Sequence, residues 1–239
     1  DKGVVNGCVN LGWGVFNVAE KLSDLMGGIY VEAGNDANVA ALGEQWLGGG
    51  KGHQNVVMVT LGTGVGGGII IGGKILAGSG GAGGEIGHMQ MRDDETDVCG
   101  CGKKGCLEQY ASATGIVRMS RRFLAQSKKE STLRSLSEIT SKDIFDAAKA
   151  GDEVALGLVD DLGEMLGKAI AHITAIVDPE VIVIGGGVSK AGQILIDVIE
   201  KYYRPAAFHA CRDTEFKLAV LGNDAGMYGA VRMVLSDDI

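Results

Sequence analysis

Three cysteines fall within eight residues, Cys99-Gly-Cys101-Gly-Lys-Lys-Gly-Cys106, at the end of the run GGEIGHMQMRDDETDVCGCGKKGCLE from Gly83 to Glu108. No other stretch restricts the fold so strongly. The glycines between the thiols allow turns tight enough to aim three sulfurs at one point. His88 stands eleven residues before the first thiol. Thiolate and imidazole ligands of this kind build tetrahedral Cys3His zinc sites. The competing reading is disulfides, or three buried thiols that happen to be close. Three thiols cannot all pair internally, and Cys99 and Cys101 are too near in sequence for an easy bridge. The predicted set is a zinc site of His88, Cys99, Cys101 and Cys106. Four protein ligands would close it, so the metal would be structural.

The chain has 239 residues, enough for one large domain or two small lobes, and 46% of them are hydrophobic, which supports a sizeable core. Glycine is the outlier at 40 residues, clustered at 48–52, 62–68, 72–87 and 185–187. The clusters lack a three-residue period, which excludes collagen, and β-branched residues between them exclude a flexible linker. With only Pro179 and Pro205 as prolines, the glycines read as tight backbone turns around a ligand. Net charge is −8, and basic runs stop at pairs such as Lys103-Lys104. The electrostatic footprint of nucleic-acid binding is therefore missing. No apolar run approaches the roughly twenty residues of a membrane span, and no basic-then-apolar leader opens the chain. Five cysteines without a secretory signal point to a reducing, cytoplasmic setting, with Cys8 and Cys211 as ordinary thiols.

Taken in order, residues 1–14 read as loop and turn, and Asn17 to Leu25 as a short helix. Gly28 to Glu32 is β-rich and bounded by glycine, so it predicts a strand. It leads into Gly34-Asn35-Asp36-Ala37-Asn38, followed by helical spacing. A strand that delivers Asn-Asp to the start of a helix can present a carboxylate for chemistry, but both residues are also preferred N-caps. Local sequence leaves both roles open. Asn55 to Leu61 and Ile69 to Ile71 predict strands, with Gly62 to Gly68 as a turn between them. Such a turn could bring backbone N–H groups and the Thr63 hydroxyl against a phosphate, although it lacks a Walker ending. Gly78 to Gly83 matches a dinucleotide fingerprint in letters only, since no strand and helix frame it.

Tyr110 to Gln126 predicts a helix, residues 127–140 a polar connection, and Ser141 the cap of another helix. From Asp152 to about Val177, apolar residues recur at helical spacing, and Asp178-Pro179 stops the run. His53, His172 and His209 read as ordinary core or surface histidines. Val181 to Ile184 predicts a buried strand that ends in Gly185-Gly186-Gly187, where a nucleotide could approach the backbone before the next helix. Phe216 to Leu221 predicts the last strand, and Asn223-Asp224 the start of the last helix. The alternation implies an α/β fold with a partly parallel sheet.

Five of these segments occur together in a family order: Gly34 to Asn38, Leu61 to Gly67, Glu85-Ile-Gly-His88, the cysteine cluster with Glu108, and Ile184 to Ser189. The chain resembles the ROK family (repressor, open reading frame, kinase), with the bacterial ROK glucokinases as the nearest branch. That resemblance implies the actin-like ATPase, or ribonuclease H-like, fold of two lobes around a cleft. It groups residues 1–54 as part of the N-terminal lobe, 55–224 as the C-terminal lobe, and 225–239 as a helix returning to the first. Family members begin with a strand and an Asp-x-Gly-Gly-Thr phosphate loop, which this chain does not contain, so the N-terminal lobe would be incomplete. Gly34 also stands where the family usually has Glu.

The resemblance implies ATP-dependent phosphorylation of a hexose 6-hydroxyl, glucose first among sugars, with magnesium on the phosphates. Asp36 would be the general base. Asn35, Glu85, His88 and Glu108 would hold sugar hydroxyls, with Asn10 nearby. His88 would face both zinc and sugar. Thr63 and Gly64 would meet the phosphates, and Gly185, Gly186 and Gly187 the adenosine side. A homodimer, and no nucleic-acid or membrane partner, complete the expectation. The alternatives are a sugar-sensing ROK repressor whose DNA-binding segment lies upstream, or a related N-acetylmannosamine or fructose kinase.

Overall fold

The computed structural model describes residues 3–8 and 12–235. Asn10 therefore lies outside the described residues. An antiparallel hairpin comes first, β1 (Val4–Cys8) and β2 (Trp13–Asn17), where the sequence predicted loop and turn. Asn17 then caps α1 (Val18–Leu25) by accepting from the Glu20 N–H at 3.0 Å. The predicted strand at Gly28 to Glu32 does not form. Ile29 and Tyr30 are exposed, and no strand among the described residues pairs with them. β-propensity by itself does not make a strand.

Next come α2 (Asp36–Leu47), β3 (Val56–Leu61), β4 (Val65–Ile71) and β5 (Lys74–Ile75). After the cysteine segment follow α3 (Glu108–Ala111), α4 (Ala113–Gln126), α5 (Ser141–Lys149) and α6 (Glu153–Val177). The chain finishes with β6 (Val181–Gly185), α7 (Gln193–Ala206), β7 (Glu215–Leu218) and α8 (Ala225–Leu235). Five strands form one sheet in the order β5-β4-β3-β6-β7; β5, β4 and β3 are an antiparallel meander, and β6 and β7 add in parallel. The apolar runs of β3 and β6 are central and buried on both faces, as continuous hydrophobic strands require.

Helices cover both faces. Val57, Val59, Leu61, Ile182 and Ile184 pack toward α3 to α7, whereas Val56, Met58, Val181 and Val183 pack toward Ala41 and Leu42 of α2. α8 lies directly on α2. A Cβ on Gly229 would sit 1.7 Å from the Val39 carbonyl oxygen, and one on Gly43 would sit 2.1 Å from that of Ala225. The two backbones touch, and only glycine permits it.

Three boundaries moved. The helix predicted from Tyr110 breaks at Ser112, whose hydroxyl accepts from the Gly115 N–H at 2.9 Å and so starts α4 afresh. Thr140, not Ser141, caps α5, because Asp143 completes a capping box with it. The last strand ends at Leu218 rather than Leu221.

Candidate active site and metal centre

The site is assembled on the first half of β4. The sequence placed Gly66, Gly67 and Gly68 in a turn, but they lie inside the strand, and only Gly62 to Gly64 turn. Without side chains, both faces of β4 admit other backbone directly. On one face, a Cβ on Gly68 would fall 2.3 Å from Ala41 Cβ, and one on Gly66 would fall 3.2 Å from Ala37 Cβ. On the other, a Cβ on Gly67 would meet the Gly84 carbonyl oxygen at 2.5 Å and Ile86 Cγ1 at 2.7 Å. The first turn of α2 and the segment carrying Glu85 and His88 therefore rest on the same strand. Glu108, at the start of α3, reaches it as well: its Oε2 accepts from the Val65 N–H at 3.1 Å. The segments carrying Asn35 and Asp36, Glu85 and His88, and Glu108 thus all meet on β4.

Of the two roles left open for Asn35 and Asp36, the capping role falls to Asn35. Asn35 is the N-cap of α2, its Oδ1 accepting from the N–H groups of Ala37 at 3.0 Å and Asn38 at 3.2 Å. Asp36 is exposed, and among the described residues its carboxylate accepts only the adjacent Ala37 N–H, at 2.9 Å. Asn38 is buried and donates from Nδ2 to the Gly83 carbonyl at 3.4 Å, tying the helix to the segment before Glu85.

The four predicted metal ligands converge. His88 Nδ1 lies 3.7 Å from Cys99 Sγ, Cys101 Sγ lies 3.6 Å from Cys106 Sγ, and one ligand atom from each residue lies within 4.8 Å of the others. Ligands held at zinc–sulfur and zinc–nitrogen bond lengths around a tetrahedral ion stand roughly 3.5–3.8 Å apart, so the set fits that metal. None of the three thiols is in a disulfide. Burial pushes the Cys106 thiol up to about 12 and raises that of Cys99, whereas the Lys103 backbone N–H holds Cys101 below the ordinary thiol range. A divalent cation offsets this cost of ionising buried thiols. Gly105 (φ 73°) closes the loop where nothing larger fits, since a Cβ there would lie 1.7 Å from the Arg92 carbonyl oxygen. The other ring nitrogen of His88, Nε2, points to Glu85, with Oε2 at 3.9 Å. Cys99 Sγ also lies 3.8 Å from Glu108 Oε1. The Cys/His cluster and the carboxylates of Glu85 and Glu108 are therefore immediate neighbours.

Glu95 was not singled out from the acidic run around it, yet its carboxylate is 2% exposed. It accepts from Tyr110 Oη at 2.8 Å, Arg118 Nη2 at 2.9 Å, and Arg122 Nη1 and Nη2 at 3.1 and 3.0 Å. Burial works against its charge, but the hydrogen bonds, that from Arg122 foremost, hold its carboxyl well below the usual range. The only sequence signal was the arginine spacing on α4, and nothing local linked it to Glu95.

On the other side, the Thr63 carbonyl accepts from Thr114 Oγ1 at 2.6 Å, and the Gly62 carbonyl from the Ala113 N–H at 2.8 Å. A groove of about 520 Å³ opens beside Thr63, between Thr114, Val117 and Arg121 of α4 and Ile139 and Thr140 ahead of α5. Gly185 is buried at the end of β6 and Gly186 (φ 83°) packs on Leu61, while Gly187 is open. The remaining histidines lie elsewhere: His172 and His209 are exposed, and His53 sits between Glu180 and Lys217.

The ROK family model matches residues 1–237. A glucokinase from Halalkalibacterium halodurans is 45% identical over 233 residues, which cover 96% of this chain and 70% of that protein. Among solved structures, a ROK family glucokinase from Streptomyces griseus in complex with glucose and AMPPNP matches with a TM-score of 0.81 and 34% identity, over 97% of this chain and 76% of that one. A ROK family transcriptional regulator, a homologue of the E. coli MLC protein, matches with a TM-score of 0.88 and 30% identity, over 98% of this chain and 59% of that one. The mixed sheet with helices on both faces is thus the actin-like ATPase architecture. With the family match, the sequence identity and the fold in agreement, this chain belongs to the ROK family.

Proposed function

We propose that this protein is a glucokinase, transferring the γ-phosphoryl group of ATP to the 6-hydroxyl of glucose. The observation that carries this reading is the start of α2: Asn35 takes the cap, Asp36 is exposed with only a bond from the adjacent Ala37 N–H among the described residues, and α2 rests on the same strand as the segments of Glu85, His88 and Glu108. Asp36 accepts the proton of the 6-hydroxyl as that oxygen attacks phosphorus, the task of a general base within hydrogen-bond reach. Glu85, Glu108 and the free amide hydrogens of Asn35 suit pairs of adjacent sugar hydroxyls. Asn10 is assigned to the same sugar by resemblance alone.

Thr63, Gly64 and Gly185 to Gly187 are assigned to the nucleotide, with the groove beside Thr63 as the base's side. Magnesium bound with ATP supplies charge neutralisation on the phosphates. His88, Cys99, Cys101 and Cys106 would hold zinc, which when bound fixes the imidazole's tautomer and orientation. His88 Nε2 is then directed at the sugar. Residues 1–54 and 225–239 are grouped as one lobe because α8 packs on α2, with 55–224 as the other. No helix among the described residues is long and apolar enough to cross a membrane. Cytoplasmic placement and a homodimer remain part of the proposal.

Glucose-dependent ADP release with magnesium and ATP tests the reading, run beside N-acetylmannosamine and fructose. Release with glucose foremost is expected. Sugar binding without any turnover would instead favour the sugar-sensing regulator, the reading supported by the regulator's close structural match. Cys101→Ser should lose the metal and weaken glucose binding by about tenfold or more. Unchanged zinc content and affinity would remove the metal from the sugar site.

A further inference from the structure

We infer that Glu95 is a positioning residue for both halves of the site, locking the metal loop to the helix that walls the nucleotide groove. The inference rests on the proposed assignment of sugar to one side and nucleotide to the other. Glu95 lies between His88 and Cys99, in an otherwise exposed acidic run. Its Oε1 accepts from the N–H groups of Thr96 at 2.9 Å and Asp97 at 3.0 Å, which shapes the loop itself. Its bonds to Arg118 and Arg122 then anchor that loop on α4. Asp97 adds a second anchor, at 2.8 Å from Arg118 Nη1 and 2.5 Å from Arg122 Nη2.

The same network reaches the metal ligands and the groove. Arg118 Nη2 donates to the Gln109 carbonyl at 2.8 Å, and Gln109 Oε1 accepts from the Cys106 N–H at 3.1 Å. α4 in turn holds the Gly62-Thr63 turn through Ala113 and Thr114, and Arg118, Arg121 and Arg122 line the groove. A buried carboxylate that joins two arginines and a tyrosine holds each in one place, because leaving any of them unpaired costs more than the bond itself contributes. Removing Glu95 strips both guanidinium groups at the groove wall of their buried partner, leaving them to the half-exposed Asp97 and the Gln109 carbonyl, and loosens the loop between His88 and Cys99 in one step. Neither sugar nor nucleotide needs to touch Glu95 for both to feel its loss.

The test measures dissociation constants for glucose and for a non-hydrolysable ATP analogue separately, by calorimetry, with metal content by mass spectrometry. Glu95→Ala should weaken both ligands by about tenfold, the scale of lost outer-shell support. Tyr110→Phe, which removes one of the bonds and keeps the ring, should move both constants in the same direction by less. Glu85→Gln should weaken glucose alone. A residue serving stability only would lower the melting temperature and leave both constants of the folded protein unchanged, and that result in Glu95→Ala overturns the inference. Loss of glucose affinity alone overturns it too. Should Glu95→Ala fail to fold, Tyr110→Phe and Arg122→Lys decide by the same criterion. A wild-type protein that binds neither ligand brings down the parent reading, whereas wild-type binding with unaffected variants brings down Glu95 alone.

Discussion

The aspartates at the starts of α6 and α2 are bonded in opposite ways. At the start of α6, Asp152 is the cap. Its Oδ1 accepts from Val154 and Ala155 N–H at 3.0 Å each, and its Oδ2 from Thr132 N–H at 2.6 Å and Thr132 Oγ1 at 2.9 Å. Burial opposes its charge, but these bonds, led by the Ala155 and Thr132 N–H groups, hold its carboxyl down to about 2. At the start of α2, Asn35 makes the corresponding bonds, and Asp36 stands one position further in, exposed and bonded to the adjacent Ala37 N–H. Which residue caps a helix start decides how many of its N–H groups an acid there must accept; with Asn35 as the cap, Asp36 does not have to.

The comparison breaks most visibly at Asp36. Asp36→Asn should lower turnover by about a thousandfold, within the range for a lost general base, with glucose affinity and melting temperature held. Retained turnover would return Asp36 to a structural role. Gly68→Ala should come next. Its Cβ would lie 2.3 Å from Ala41 Cβ, so α2 must shift, at about 1–3 kcal/mol by chemical denaturation and with a matching fall in turnover.

Asp152→Ala should cost on the order of 1–2 kcal/mol and leave glucose affinity untouched. That contribution also has a pH signature. A carboxylate depressed in the folded state stabilises fully above its ordinary value of about 4 and loses that stabilisation as pH falls toward the folded value. For Asp152 the window closes at about 2. The stability gap between wild type and Asp152→Ala should therefore narrow across that interval in urea titrations; a constant gap would show that the charge contributes nothing. The smallest effect belongs to Asn35→Ala, about 1 kcal/mol for a lost cap, with Asn35→Asp restoring it. Turnover that falls further than stability in Asn35→Ala would mean that Asp36 has swung over to cap the helix.

The site was legible in sequence where its chemistry is local. The thiols of Cys99, Cys101 and Cys106 are close along the chain, so a short loop with glycines at its turns suffices to gather them, and His88 is near enough to complete the set. Asn35-Asp36 announced itself by adjacency at a helix start, although only hydrogen-bond geometry assigned the cap to one of the pair. Glu95 was illegible, because its partners Tyr110, Arg118 and Arg122 lie on α3 and α4, and an acidic residue among acids looks like a solvated face until those helices fold back over it.

Residue type and spacing alone determined the Cys/His cluster, the long helix from Glu153 to Val177, the apolar strands Val56–Leu61 and Val181–Gly185, and the family motifs. These depend on contacts within one turn, one loop or one periodic face. Tertiary structure decided the rest. Gly28 to Glu32 has the composition of a strand and forms none, since pairing needs a partner edge. Gly66 to Gly68 have the composition of a turn and form the centre of β4, because α2 and the Gly84–Ile86 segment press on its two faces and leave no room for side chains. A glycine run states only that backbone must come close to something, and the packed sheet determines what that is.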